Sequence, residues 1–72
     1  MTASEYMLVV EGELSDEVGA VFPGMRLTRV KGRTLLVGPV RDQAELHGLL
    51  RRVSNLGLTL LSARTKGRLA ER

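Results

Sequence analysis

The sequence predicts an α+β domain, a single-layer four-stranded antiparallel sheet with two helices on one face. Three observations lead there. Residues 42–57 carry an amphipathic helix with its own start and stop signals. Residues 6–14 and 58–64 place apolar side chains at the two-residue period of a strand. Lys31-Gly32 stands between two further apolar runs, where a two-residue hairpin turn would join them. The 72 residues hold one core's worth of apolar side chains and so one domain, placed at residues 1–64, with 65–72 as a flexible basic C-terminal tail. A domain this small buries only about 60% of its extended-chain surface, so its stability alone is marginal.

Taken in order, Met1 to Glu5 is polar and loose. Tyr6 to Leu14 reads as the first strand, with Tyr6, Leu8, Val10 and Leu14 on the core side and Met7, Val9, Glu11 and Glu13 on the other. Ser15 caps a short helix whose first turn holds Asp16 and Glu17, where the helix dipole favours anions. Val18, Val21 and Phe22 fall at helical spacing and are expected to bury, and Pro23-Gly24 ends the element within two turns. Met25 to Lys31 and Arg33 to Val40 form the hairpin. Leu27 and Val30 have opposite parity, which asks either for a bulge or for two partly covered faces. Thr34-Leu35-Leu36-Val37 is apolar on both faces, as a central strand is, and Gly38-Pro39 closes it because proline donates nothing to a ladder.

Asp42 then caps the long helix, and Glu45 reaches back to the N–H of Asp42, the Asp variant of a capping box. Leu46, Leu49, Leu50, Val53 and Leu56 share one helical face. Gly57 takes the left-handed conformation at the stop and returns Leu58 onto Val53. In the last strand Leu58 and Leu60 take the core side, and Thr59, Leu61 and Ala63 the other. The order βαββαβ is the split βαβ, or ferredoxin-like, arrangement with a short first helix; right-handed crossovers give it a 4-1-3-2 sheet with the first and third strands central.

Gly38-Pro39-Val40-Arg41-Asp42-Gln43-Ala44-Glu45-Leu46-His47-Gly48-Leu49-Leu50, followed by Leu56-Gly57-Leu58-Thr59-Leu60, resembles a block shared by short, uncharacterised, mostly actinobacterial proteins and protein tails. That block runs G-P-x-x-D-Q-A-x-L-H-G-x-L and then L-G-L-x-L. The resemblance covers roughly residues 36 to 63. It implies a fold and a lineage, and it transfers no catalytic residue.

Composition narrows the function classes. The chain has no cysteine, so it has no disulfide, thiolate zinc site or cysteine nucleophile, and it suits a reducing compartment. No apolar run approaches the ~20 residues a bilayer needs, and the N-terminus lacks a signal-peptide core, so a cytoplasmic protein without membrane attachment is expected. The net charge of +3 arises at the end of the chain. Before Ser62 seven basic residues meet seven acids, and the excess comes from Arg64, Lys66, Arg68 and Arg72 less Glu71. His47 is the only histidine. It falls on the rim of the helix with nothing in the sequence to complete an acid–base or metal constellation, so an interface role is expected, with no catalytic residue, no metal and no cofactor.

Two surfaces invite a partner. Ala44 and Gly48 lie one turn apart on the outer side of the long helix, a smooth strip for another backbone, although a glycine there is equally a tolerated surface residue. The sheet face away from the helices would expose Met7, Val9 and Leu61, with either Leu35 or Leu36, unless a chain end folds across it. Arg26, Arg29, Lys31 and Arg33 make the hairpin basic against an acidic first third. Solvated edges explain this, complementary charge between subunits is the sharper reading, and phosphate contact is a third. Stacking residues for RNA are missing, because Tyr6 and Phe22 are the only aromatics and both are assigned inward. The expectation is a non-enzymatic protein-interaction or homo-oligomerisation module, a homodimer or bound to a protein partner. The alternative is a weak nucleic-acid-binding or small-ligand regulatory protein.

Overall fold

A computed structural model describes residues 4–68. Six elements follow one another: β1 Ser4–Glu11, α1 Asp16–Gly19, β2 Arg26–Val30, β3 Arg33–Val40, α2 Gln43–Asn55 and β4 Leu60–Arg68. The strands form one antiparallel sheet in the order β2-β3-β1-β4, with β1 and β3 central as their double-sided apolar content predicts. The core cluster joins the two helical segments to one side of that sheet. Leu8 and Val10 of β1, Leu36 and Val40 of β3, and Leu49 and Val53 of α2 enclose Phe22, the residue after α1, which is 1% exposed.

Each element's local chemistry explains its bounds. The Asp42 side chain caps α2 by accepting from the Glu45 N–H at 2.9 Å. Glu45 reaches back one residue further than expected and accepts from the N–H of Arg41, at 2.7 Å. At the other end Gly57 has φ of 76°, Gly57 N–H donates to the Ser54 carbonyl and Leu58 N–H to the Val53 carbonyl, the paired bonds of a Schellman stop. Leu56 is the C-cap itself and stays exposed, so the apolar face of α2 ends at Val53. The α1 helix is a single turn capped by Ser15, whose hydroxyl accepts from Val18 N–H. Because it stops at Gly19, the chain turns before Val21 swings inward; Val21 is exposed and its carbonyl accepts from Arg52.

The β2–β3 hairpin has a two-residue loop, Lys31-Gly32, with φ of 49° and 81°. Two positive φ angles are the signature of a type I′ turn, whose twist matches the strands beside it. Lysine is a poor occupant of that first position. Lys31→Asn is therefore expected to raise the unfolding free energy by about 0.5–1 kcal/mol, read as a higher urea midpoint. The β2–β3 register is unbroken, so Leu27 lies opposite Leu36 on the helix side and Val30 opposite Arg33 on the open side. Both faces are partly covered, and no bulge is needed.

Three expectations are corrected. β3 has the expected bounds Arg33–Val40, and Pro39 lies inside it instead of closing it. The neighbouring strand β2 ends opposite Val37, so beyond that point proline deprives no partner on that side of a donor. Two strands have other bounds than their side chains suggest: β1 starts at Ser4 and stops at Glu11, short of Leu14, and β4 runs on through residues 65–68, with Thr65 opposite Tyr6, Gly67 opposite Glu5 and Arg68 opposite Ser4. The boundary placed after residue 64 thus falls within a strand, and of the supposed tail residues 69–72 lie outside the described residues. Finally, β4 has two register shifts against β1. The one at Leu61 reverses the assumed parity beyond Leu60, so Ala63 stands opposite Leu8 on the helix side and Ser62 opposite Val9 on the open side, and the one between Thr65 and Gly67 restores it.

Candidate interaction surface

The open face of the sheet is built from alternate residues of four strands. Pairing fixes its rows: Arg26, Val37, Met7 and Arg64 lie side by side, then Thr28, Leu35, Val9 and Ser62, then Val30, Arg33 and Glu11. Four apolar side chains on the central strands, Met7, Val9, Leu35 and Val37, thus form a patch that both helices leave uncovered, since the helices pack on the opposite side. Arginines flank it on both edge strands. Of the expected members, Met7 and Val9 lie in this patch. Leu35, rather than Leu36, joins them, because Leu36 pairs with Leu8 and is fully buried among the helices. Leu61 does not take its expected place opposite β1. It is the extra residue between the Val9–Ser62 and Val10–Leu60 pairs and is 45% exposed.

Val37 is the least expected of the four. It points to the open side yet is only 9% exposed. Arg26 on β2, beside Val37, reaches over β3 to the Glu5 carboxylate on β1, at 3.5 Å. That ion pair bridges β2 and β1 across β3 on the open face, with the Arg26 side chain itself 77% exposed. At the hairpin end of the face Val9, Val30, Lys31, Arg33 and Leu35 line an open concavity of about 450 Å³.

The four hairpin cations do not act together. Arg29 stands opposite Thr34 on the helix side, where its guanidinium donates to the Leu14 carbonyl and to the Asp16 carboxylate, tying the start of α1 to β2. Arg26 is held by Glu5. Lys31 and Arg33 remain at the turn and stand outside the three ion pairs of the described residues. Glu11 is the cross-strand neighbour of Arg33 without joining it in an ion pair. Glu13 lies beyond β1, and its carboxylate accepts the Gly32 N–H at 2.9 Å. A continuous basic strip for phosphates does not form from these residues, because strand alternation divides them between two faces.

On the other side of the molecule Ala44, His47 and Gly48 are all exposed on α2. A methyl group at Gly48 would meet nothing within 4 Å. Gly48 lines a groove of about 300 Å³ with Pro23, Glu45, Leu49 and Arg52. Arg52 there donates to the Val21 carbonyl at 2.8 Å, so the helix is tied to the turn after α1 across one end of the groove. Among the described residues no group of three or more His, Asp or Glu side chains is placed to hold a metal ion, and no helix is long and apolar enough to cross a membrane.

Residue pairs that sequence reading passed over hold this surface in shape. Thr34, fully buried, donates its hydroxyl to the Gly12 carbonyl at 2.7 Å and accepts from the Leu14 N–H at 2.9 Å. Gly38, opposite Tyr6, lies directly under the Gly24–Met25 backbone. Neither carries a sequence signal beyond its residue type, because the partners are distant in the chain. Residues 5–64 match the model of a family described as a domain of unknown function (DUF8691). No curated protein and no solved structure matches the chain.

Proposed function

The chain belongs to the DUF8691 family, whose model spans residues 5–64, and we propose that it is a non-enzymatic interaction and homo-oligomerisation module that docks through the open face of its sheet. One observation carries this reading: Met7, Val9, Leu35 and Val37 form a contiguous apolar patch on the side opposite both helices, with an arginine on each flanking strand. Apolar ground rimmed by polar groups is the usual anatomy of an interface core and its rim. A small domain also gains more than a large one by sharing a core. The β2-β3-β1-β4 order, which counted from the β4 edge runs 4-1-3-2, supports a ferredoxin-like assignment.

Leu35→Glu places a carboxylate at the centre of the patch while leaving the helix-side core untouched. Sedimentation velocity over the micromolar range is expected to show concentration-dependent association of the parent chain and a monomer for the variant, with far-UV circular dichroism unchanged. A parent chain that stays monomeric to high micromolar concentration overturns the proposal.

A further inference from the structure

We infer that the occupant of the open face is a second copy of this chain, packed sheet to sheet about a two-fold axis that runs along the strands between β1 and β3. This rests on the docking face proposed above and adds the partner and its orientation. The argument is one of self-complementarity. A face that meets its own copy across a two-fold axis in the interface plane allows two simple alignments, with the axis along the strands or across them.

Along the strands, β1 of one copy lies over β3 of the other. Val9 then covers Leu35, apolar on apolar, and Met7 comes over Val37, of which only 9% is exposed in the single chain. One row further, Arg33 of each copy comes over Glu11 of the other, because those two residues are direct neighbours on β3 and β1. The contact occurs twice by symmetry, and within the chain the two side chains form no ion pair that it would have to break. Across the strands, each strand lies over its own copy. Glu5 then approaches the second copy's Glu11, and Arg33 falls over Pro39, so like charges meet and the cation gains nothing. Aligned sheets cross at about 30° rather than 0°, an offset that arginine's length spans. The one unfavourable encounter along the strands is Arg26 over Arg64. It is softened because Arg26 brings Glu5 with it.

Strands of eight, five, eight and nine residues give a face of ~500 Å² by ordinary strand spacings, smaller than the ~800 Å² per partner of a stable pair. The pair is therefore expected to be weak, with charge contributing visibly to it. The test uses Arg33→Glu and Glu11→Arg, alone, mixed and combined in one chain, by sedimentation at low salt. Each single variant turns two attractions into two repulsions and is expected to weaken self-association about tenfold or more. An equimolar mixture of the two single variants is expected to restore the dimer as a heterodimer, since each then supplies the charge the other lacks, and the double variant restores it as a homodimer. Restoration in the double variant without restoration in the mixture makes the pairing intramolecular and overturns the inference. Charge variants that leave association unchanged, while Leu35→Glu abolishes it, remove the axis and leave the docking face. Loss of association in neither set removes both.

Discussion

Replacing Thr34 with valine is expected to lower the unfolding free energy by about 2–4 kcal/mol, a large share of what a 72-residue domain has. The shape of the side chain is almost conserved, so the effect isolates the hydroxyl. That hydroxyl is both donor and acceptor: it gives its proton to the Gly12 carbonyl and receives the Leu14 N–H. Valine strips both backbone groups of their partner in a place where water does not reach Thr34 at all. The cost is that of an unsatisfied buried Leu14 N–H together with a lost bond at the part-buried Gly12 carbonyl. The consequence is local in space, because Leu14 is a core residue and its neighbour Ser15 caps α1. Urea denaturation measures the loss, and each kcal/mol moves the thermal midpoint of a domain this size by roughly 4–8 °C. Thr34→Ser keeps the hydroxyl and loses one methyl, so it is expected to cost only about 1 kcal/mol. Equal midpoints for the valine variant and the parent would mean that the Gly12–Leu14 loop is held by something else.

The same residue shows where the sequence stops being legible. A β-branched threonine in an apolar strand reads as ordinary strand chemistry, and its actual partners lie 22 and 20 residues away. The long helix is the opposite case. Asp42, Glu45, Gly57 and the leucine spacing are all within one or two turns of the groups they act on, so residues a few positions apart specify the element. Strands fall between. Alternation places Leu8 and Val10 correctly because the intervening Met7 and Val9 sit beside acids further along. It cannot choose between Leu35 and Leu36, which only the pairing of β3 with β1 separates. Alternation fails in β4, since the extra residue at Leu61 inverts the strand from Ser62 to Thr65, until the second shift sets it back. Residues 65–68 look like a polar tail because backbone pairing with β1 leaves no mark on side-chain polarity.

These failures bear on the candidate surface as well as on the fold. Strand parity decides which residues a partner would meet, so a single bulge exchanges Leu61 for Ser62 opposite Val9 and makes that flank of the patch polar. Arg26 belongs to the face and Arg29 does not, although they stand only three positions apart in the same basic hairpin. Their ion pairs differ accordingly. Arg26–Glu5 spans the open face above Val37, and Arg29–Asp16 fastens the helix layer to the edge strand. A charge cluster in the sequence is therefore two structural devices, one on each side of the sheet.

Gly38→Ala and Gly48→Ala are expected to change stability in opposite directions, by about 1–3 kcal/mol downward and up to about 1 kcal/mol upward. At Gly38 a Cβ would lie 2.7 Å from the Gly24 carbonyl oxygen and 3.0 Å from the Met25 Cα. Both are backbone, so relief requires moving the turn itself. That turn is not free to move, because Met25 N–H donates to the carbonyl of Phe22, whose ring fills the centre of the core. Strain at one β3 position is thus transmitted to the most buried aromatic. At Gly48 the added methyl meets open space in an exposed helical position, and alanine removes only the backbone freedom that glycine must lose on folding. Urea denaturation at concentrations below self-association reads both variants on the same scale. A loss at Gly48 would mean that the outer strip of α2 with Ala44 is itself packed against something. No loss at Gly38 would mean that the Pro23–Met25 turn can lift from the sheet while Phe22 stays seated, and the close approach over β3 would then contribute nothing to holding the helix layer in place.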